Sequence, residues 1–129
     1  MSAPSDRLLL DNHVFLWWST GDARLGTPAR RAILDAHEVY VSMASLWELA
    51  LKVSIGKLRM DVPLRYAVHV NRFAVLPISF DHVERVATLP RHHGDPFDRM
   101  LAAQTLHEGL TLVTHDRAFT PYALPVRWT

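Results

Sequence analysis

Four carboxylates in this 129-residue chain follow a strand or open a helix, Glu48 from within the helix that follows its strand: Asp11, Glu48, Asp98 and Asp116. Asp98 belongs to the stretch HHGDPFDRMLAAQTLH, in which Asp95 is a good N-cap, Pro96 suits the first helical position and Asp98 falls in the first turn, where the helix dipole favours negative charge. Asp11 ends a short apolar run, Glu48 lies one and a half turns into a helix, and Asp116 follows the run LTLV. Like charges a few ångströms apart repel and raise one another's pKa unless a cation compensates them. Oxygen donors without cysteine select hard ions, Mg²⁺ or Mn²⁺. One or two such ions held by carboxylates are the apparatus for activating water against a phosphodiester. Each acid also has a plain structural use. Asp11 and Asp116 can cap the elements that follow them, while Ser45 to Glu48 and Asp95 to Asp98 both fit capping boxes. The chemical reading therefore rests on whether the fold brings the four together.

The elements that must position them follow from periodicity and punctuation. Arg7 to Leu10 is a short strand, and Asn12 to Trp18 continues as a helix carrying Val14, Phe15, Trp17 and Trp18. Gly21 to Thr27 is a loop, and Thr27 with Pro28 offers a cap and first-turn proline for a helix to about Ala36. EVYVS, Glu38 to Ser42, has the composition of a buried strand. The helix after it shows Leu46, Trp47, Leu49, Ala50 and Val53 as its apolar face, with Gly56 at its C-terminal cap. Pro63 to Phe73 spaces Tyr66, Val70 and Phe73 as a helix would. Ala74 to Ile78 is a strand whose Pro77 suggests an edge or a strand end. Asp81 to Thr88 is a further helix. The helix behind Asp98, with Met100, Leu101, Ala103, Gln104 and Leu106, ends at Gly109. Leu110 to Val113 is a strand, and Ala123 to Trp128 adds a final edge strand.

Strands alternating with helices imply βαβ units, hence a three-layer α/β/α domain on a mostly parallel sheet of four to five strands. In such a sheet the C-terminal strand ends share one edge, and ligands bind there. Asp11, Glu48 and Asp116 each follow a strand, and Asp98 opens the helix leading into the LTLV strand. The four should meet at one rim.

Length suits one domain spanning residues 1–129, without repeats, linkers or low-complexity tracts. Apolar residues at 49%, charged residues at 21% and a net charge of +1 exclude disorder and leave the class of partner open. The absence of cysteine excludes disulfides and thiolate zinc sites and suits a reducing cytosol. Asp11 and His13 interrupt what would otherwise pass for a signal-peptide core, and no apolar run approaches the ~20 residues needed to span a bilayer. A soluble cytoplasmic protein without a membrane partner is expected.

The segments LLLDNHVFLWW, SMASLWELALKVSIGKL, HHGDPFDRMLAAQTL and LVTHDRAF, in that order and spacing, resemble the PIN-domain ribonucleases, specifically VapC-type toxins of bacterial toxin–antitoxin pairs. The match covers nearly the whole chain. It implies a PIN-like fold and places the family's acidic quartet, as catalytic and metal-binding residues, on Asp11, Glu48, Asp98 and Asp116. Thr114 matches a family hydroxyl beside the site. Asp95 matches an additional acid of the DPFDR subgroup, for which the capping role is preferred. Asn12 stands where the family more often has threonine. The resemblance further implies a divalent cofactor, Mg²⁺ or Mn²⁺, and a homodimer. It also implies neutralisation by a cognate antitoxin and cleavage of structured RNA such as tRNA or rRNA.

Other constellations carry less. None of the eight histidines falls at a metal-ligand spacing such as HExxH, and most are expected at the surface. His92, His93 and His115 lie close in sequence to the acids and can touch substrate. Arg91, Arg99, Arg117, Lys52 and Lys57 can meet phosphates, although Lys52 one turn after Glu48 also fits an ordinary helical ion pair. The four tryptophans fit core or interface positions better than base-stacking platforms. A phosphoacceptor receiver domain would need a lysine at the end of a late strand, and only Lys52 and Lys57 exist. No GxGxxG or GxxxxGK supports a nucleotide-binding fold. The alternative outside enzymes is a catalytically silent PIN-like scaffold that binds RNA or protein, which is expected to have lost members of the quartet.

Overall fold

The structure is a computed structural model that describes residues 6–92 and 94–129. In chain order its elements are β1 (Arg7–Leu10), α1 (Asn12–Thr20), α2 (Thr27–Asp35), β2 (Glu38–Ser42), α3 (Met43–Ser54), α4 (Leu64–Val70), β3 (Ala74–Leu76), α5 (Phe80–Thr88), α6 (Pro96–Glu108), β4 (Thr111–Thr114) and β5 (Val126–Trp128). Short 3-10 turns occupy Ala23–Leu25 and Arg117–Tyr122. The described strands form one five-stranded sheet in the order β3-β2-β1-β4-β5, and every pairing is parallel. The three-layer α/β arrangement expected from the alternating elements is therefore present, with the sheet wholly rather than mostly parallel.

Side chains alternate across the sheet and build two cores. Leu8, Leu10, Val41 and Val113 pack on one face against Val14, Phe15, Ile33, Leu49 and Val68. Leu9, Leu76 and Leu112 pack on the other against Leu101, Ala102, Leu89 and Phe119. The central residues of α6, Leu101 to Thr105, are all buried, so that helix is held on every side, against α3 and α5 as well as the sheet.

Helix boundaries follow local hydrogen bonding. Helix α3 starts on Ser42, whose Oγ accepts from the Ala44 N–H at 3.0 Å. It ends in a Schellman motif with Gly56 at φ +75, where the Lys57 N–H reaches the Lys52 carbonyl at 2.9 Å. The cap of α2 is Gly26 rather than Thr27, which is itself the first helical residue. Helix α5 begins at Phe80, one residue before the expected start, because Ser79 and His82 close a capping box in which imidazole Nδ1 accepts from the Ser79 N–H at 3.0 Å. His82 is thus a buried histidine, 1% exposed, and its Nε2 meets Glu108 at 2.9 Å. The six other described histidines are exposed, and His93 lies outside the described residues, as do positions 1–5 of the N-terminal run.

Two apolar faces differ from expectation. In α3 the buried side is Ala44, Ser45 and Leu49, while Trp47, Ala50 and Val53 face outward. This helix is apolar around most of its circumference, so periodicity did not select the side the sheet would cover. In α4 the buried pair is Ala67 and Val68, with Tyr66 53% and Val70 54% exposed. That helix stops at Val70 because Arg72 turns left-handed at φ +58, folding Phe73 back so that its N–H bonds the Val68 carbonyl at 3.1 Å. Strand β3 ends before Pro77 and lies at the sheet edge, and β5 lies at the opposite edge with fewer residues than its expected span.

Candidate active site

Register sets the site. Leu10 is paired with Val41 on one side and Val113 on the other, so Asp11, Ser42 and Thr114 reach the same sheet edge at the same level. The chain runs from β1 outward through β2 to β3 and then returns to β4, which makes the gap between β1 and β4 the switch point where open α/β sheets bind ligands. Asp11 and Thr114 flank that gap, and the Asp11 N–H is tied across it to the Val113 carbonyl at 3.1 Å.

Asp11 is only 4% exposed. Its Oδ1 accepts the Val14 N–H at 2.9 Å as the cap of α1, and its Oδ2 accepts a hydrogen bond from the Thr114 hydroxyl. The Thr114 oxygen in turn accepts the Asp116 N–H at 3.0 Å. One hydroxyl therefore positions both acids. Burial pushes the Asp11 carboxyl pKa up, the Thr114 and Val14 hydrogen bonds oppose that rise, and the nearby Asp116 charge adds to it. Asp116 also caps the turn after it, accepting the Ala118 N–H at 2.9 Å. The structural and chemical uses of these two acids thus coexist.

Glu48 and Asp98 are carried by helices α3 and α6. Helices α3 and α6 pack together, and at their N-terminal ends the rings of Trp47 and Phe97 meet edge to face at 5.2 Å, one residue before each acid. The Glu48 carboxylate lies 3.4 Å from Lys52 Nζ, the ordinary i,i+4 pair. Asp98 stands in the first turn of α6, and Asp95 is the cap, its Oδ1 accepting from Phe97 N–H at 2.8 Å and Asp98 N–H at 3.1 Å. Asp11, Thr114 and Asp116 are therefore directly connected, whereas Glu48 and Asp98 are linked to each other's neighbourhood through the Trp47–Phe97 contact. Among the described residues no three Asp, Glu or His side chains stand close enough around one point to hold a metal ion.

Two features fit a hard cation all the same. Among the described residues Asp11 is a buried carboxylate without an ion pair, beside a second anion that raises its pKa. Ser45 is the other: its Oγ is buried with no hydrogen-bond partner among the described residues, one turn before Glu48 on the same face of α3. Ser42, not Ser45, caps this helix, so Glu48 closes no capping box and Ser45 is an oxygen donor without a structural duty. The sequence signal for Ser45 was its i,i+3 spacing to Glu48, which the capping interpretation absorbed.

A second feature gave no sequence signal. Trp17, 9% exposed, is stacked on His13 at 5.9 Å and meets His115 edge-on at 5.6 Å, with the Arg24 guanidinium 5.3 Å from its ring. These residues carry imidazoles and a guanidinium to the side of the rim beside Asp11, and His13 lowers the Asp11 pKa. Arg117 lies over Trp128 at 4.1 Å just beyond Asp116. His92 sits against Tyr122 at 5.3 Å.

A family model described as the PIN domain matches residues 8–123. Ribonuclease VapC22 of Mycobacterium tuberculosis is 32% identical over 124 residues, which takes in 92% of this chain and 93% of that protein. VapBC of Salmonella typhimurium in a DNA-bound complex superposes with a TM-score of 0.70 at 18% identity, covering 94% of this chain and 96% of that one. VapBC2 of Rickettsia felis, bound to a DNA fragment from its promoter, gives 0.67 at 14% identity, with 93% and 96% covered. A family-model match along most of the chain and a curated relative above 30% identity together establish that the chain belongs to the PIN domain family.

Proposed function

We propose that this protein is a metal-dependent endoribonuclease toxin that hydrolyses phosphodiester bonds in structured RNA, tRNA or rRNA, and is neutralised by a cognate antitoxin. The observation that carries the proposal is the buried Asp11 carboxylate at the β1–β4 switch point, coupled through the Thr114 hydroxyl to Asp116. The ribonuclease activity named for the curated relative supports the reaction class. Neighbours solved as toxin–antitoxin complexes support the antitoxin partner.

Asp11, Glu48, Asp98 and Asp116 would hold Mg²⁺ or Mn²⁺, which supplies a water of lowered pKa and positive charge for the phosphodiester. The protein's own part is positional. Thr114 keeps one Asp11 oxygen engaged and favours the ionised acid. Ser45 adds a neutral oxygen on the α3 side, and Asp95, by capping α6, keeps Asp98 in the first turn. Lys52, Arg117 and His115 stand at the edge of the site, where substrate phosphates are met.

Exposed apolar side chains on the outer faces of α3, α4 and α5, among them Leu51, Tyr66, Val70 and Phe80 at 79%, with Ile55 just after α3, supply the protein-binding surface that an antitoxin and a homodimer need. Among the described residues no helix is long and apolar enough to cross a membrane, which accords with action in the cytoplasm. Sequencing RNA 5′ ends after brief induction in cells tests the proposal. One or a few recurrent sites cut by the parent, and absent with Asp98→Asn, are expected. An RNA-end profile identical in the two would overturn it.

A further inference from the structure

Beside the acidic rim lies a cleft of about 710 Å³, within the ~300–1,000 Å³ range typical of small-ligand sites. Its walls come from both helices that carry Glu48 and Asp98. Ala44 lies one turn before Glu48 on the same stripe of α3, and Phe97 immediately precedes Asp98. Trp47, 57% exposed, presents its ring here, and Phe97 braces it edge-on with an interplanar angle of 72°. Ile78 and Met100 complete an apolar lining.

The charged groups at the cleft are cationic. Arg91 is exposed and makes no ion pair among the described residues. Arg99 spends its guanidinium on the carbonyls of Val86, Leu89 and Pro90, at 3.1, 3.4 and 3.0 Å. It therefore holds the 89–92 segment in place while bringing a positive charge to the cleft wall. An exposed indole face, apolar walls and two arginines in the lining suit a flat π-system with an attached anion.

We infer that this cleft receives one unpaired nucleobase of the RNA substrate, stacked on Trp47, with its phosphate near Arg91. The inference rests on the nuclease proposal and sharpens it. A base can enter only if it is out of its own stack, so cleavage falls at loops, bulges or single-stranded segments of the folded RNA rather than within a duplex. Stacking by an aromatic side chain is tolerant of base identity, so this pocket selects for unpaired structure more than for sequence.

The test uses the full chain with Asp98→Asn, which binds without cutting, and a fluorescein-labelled single-stranded 12-mer RNA of random sequence, alongside a perfect duplex. The single strand is expected to bind more tightly than the duplex. Trp47→Ala is expected to weaken single-strand binding on the order of ten-fold with little effect on the duplex. Trp47→Phe should restore most of the loss, and Arg91→Gln should reduce the slope of log affinity against log salt by about one. In the parent background, Trp47→Ala should cut total RNA correspondingly more slowly. If Trp47→Ala binds and cuts as the parent does while Asp98→Asn is inactive, the base pocket is refuted and the nuclease stands. Should the parent neither bind nor cut RNA, both readings fall together. If Trp47→Ala loses RNA binding only by changing the oligomeric state seen on size-exclusion chromatography, a second copy of the chain covers the cleft and the inference is overturned.

Discussion

At the scale of single residues, the coupling of Asp11 to Thr114 sets the pH behaviour. An acid whose pKa in the folded chain lies above its ordinary 3.8 binds its proton more tightly folded than unfolded. Its favourable contribution is complete below 3.8 and is lost as pH rises through the folded value. Asp11→Asn should therefore raise the melting temperature of the metal-free protein at neutral pH, by roughly 2–8 °C for each kcal/mol of relief, with the gain shrinking toward acid pH. Calorimetric melts at pH 4 and pH 7 check this, and an unchanged or lowered melting temperature at pH 7 would contradict it. Thr114 acts in the opposite sense, because its hydroxyl favours the ionised acid. Thr114→Val should move the acid limb of the cleavage rate to higher pH, and a rate profile that drops uniformly without moving would argue for a steric role instead. The link between Asp11 and Asp116 was legible because each directly follows a strand, and the parallel sheet brings those strand ends together. Ser45 and Trp17 were not. An orphaned hydroxyl and a ring wedged between two imidazoles depend on contacts between segments distant in sequence, such as Trp17 with His115.

At the scale of elements, boundaries were legible where a residue has one conformational use and less so where the fold chooses among several. The strands Arg7–Leu10 and Glu38–Ser42 and the start of α6 behind Asp95-Pro96 coincide with expectation, since a proline in the first turn and short β-branched or leucine runs admit few alternatives. The outward faces of α3 and α4 were misassigned because both helices carry apolar residues on more than one side. In α4 the end is also unusual: Arg72 occupies the left-handed position that glycine ordinarily takes. Arg72→Gly should stabilise the protein by about 0.5–1 kcal/mol, read as a shift in the urea midpoint with the slope unchanged. A destabilised variant would mean that the arginine side chain makes a contribution larger than its backbone strain. His82 joins the start of α5 to Glu108 near the end of α6, an arrangement of two helix ends that no local pattern announces.

At the scale of the whole molecule, a site open at a sheet edge must be silenced by a partner while the protein is stored. An antitoxin arginine placed among Asp11, Glu48, Asp98 and Asp116 would compete with a divalent ion for the same oxygens. Titrating the cognate antitoxin peptide by calorimetry should then show weaker binding in Mn²⁺ than in its absence, and equal affinity would mean that the inhibitor only blocks RNA access. The family was legible through four ordered motifs and the parallel sheet through the alternation of strands and helices, whereas the strand order and the cleft between Trp47 and Phe97 required the packed fold to appear. The central claim, that the four-acid rim cuts RNA with a divalent ion, is tested most directly by incubating total RNA with the purified protein. Loss of full-length tRNA or rRNA into discrete fragments is predicted in Mg²⁺ or Mn²⁺, with none in excess chelator and none from a folded Asp98→Asn variant in either ion. Equal fragmentation by Asp98→Asn, or by the parent in chelator, would contradict it.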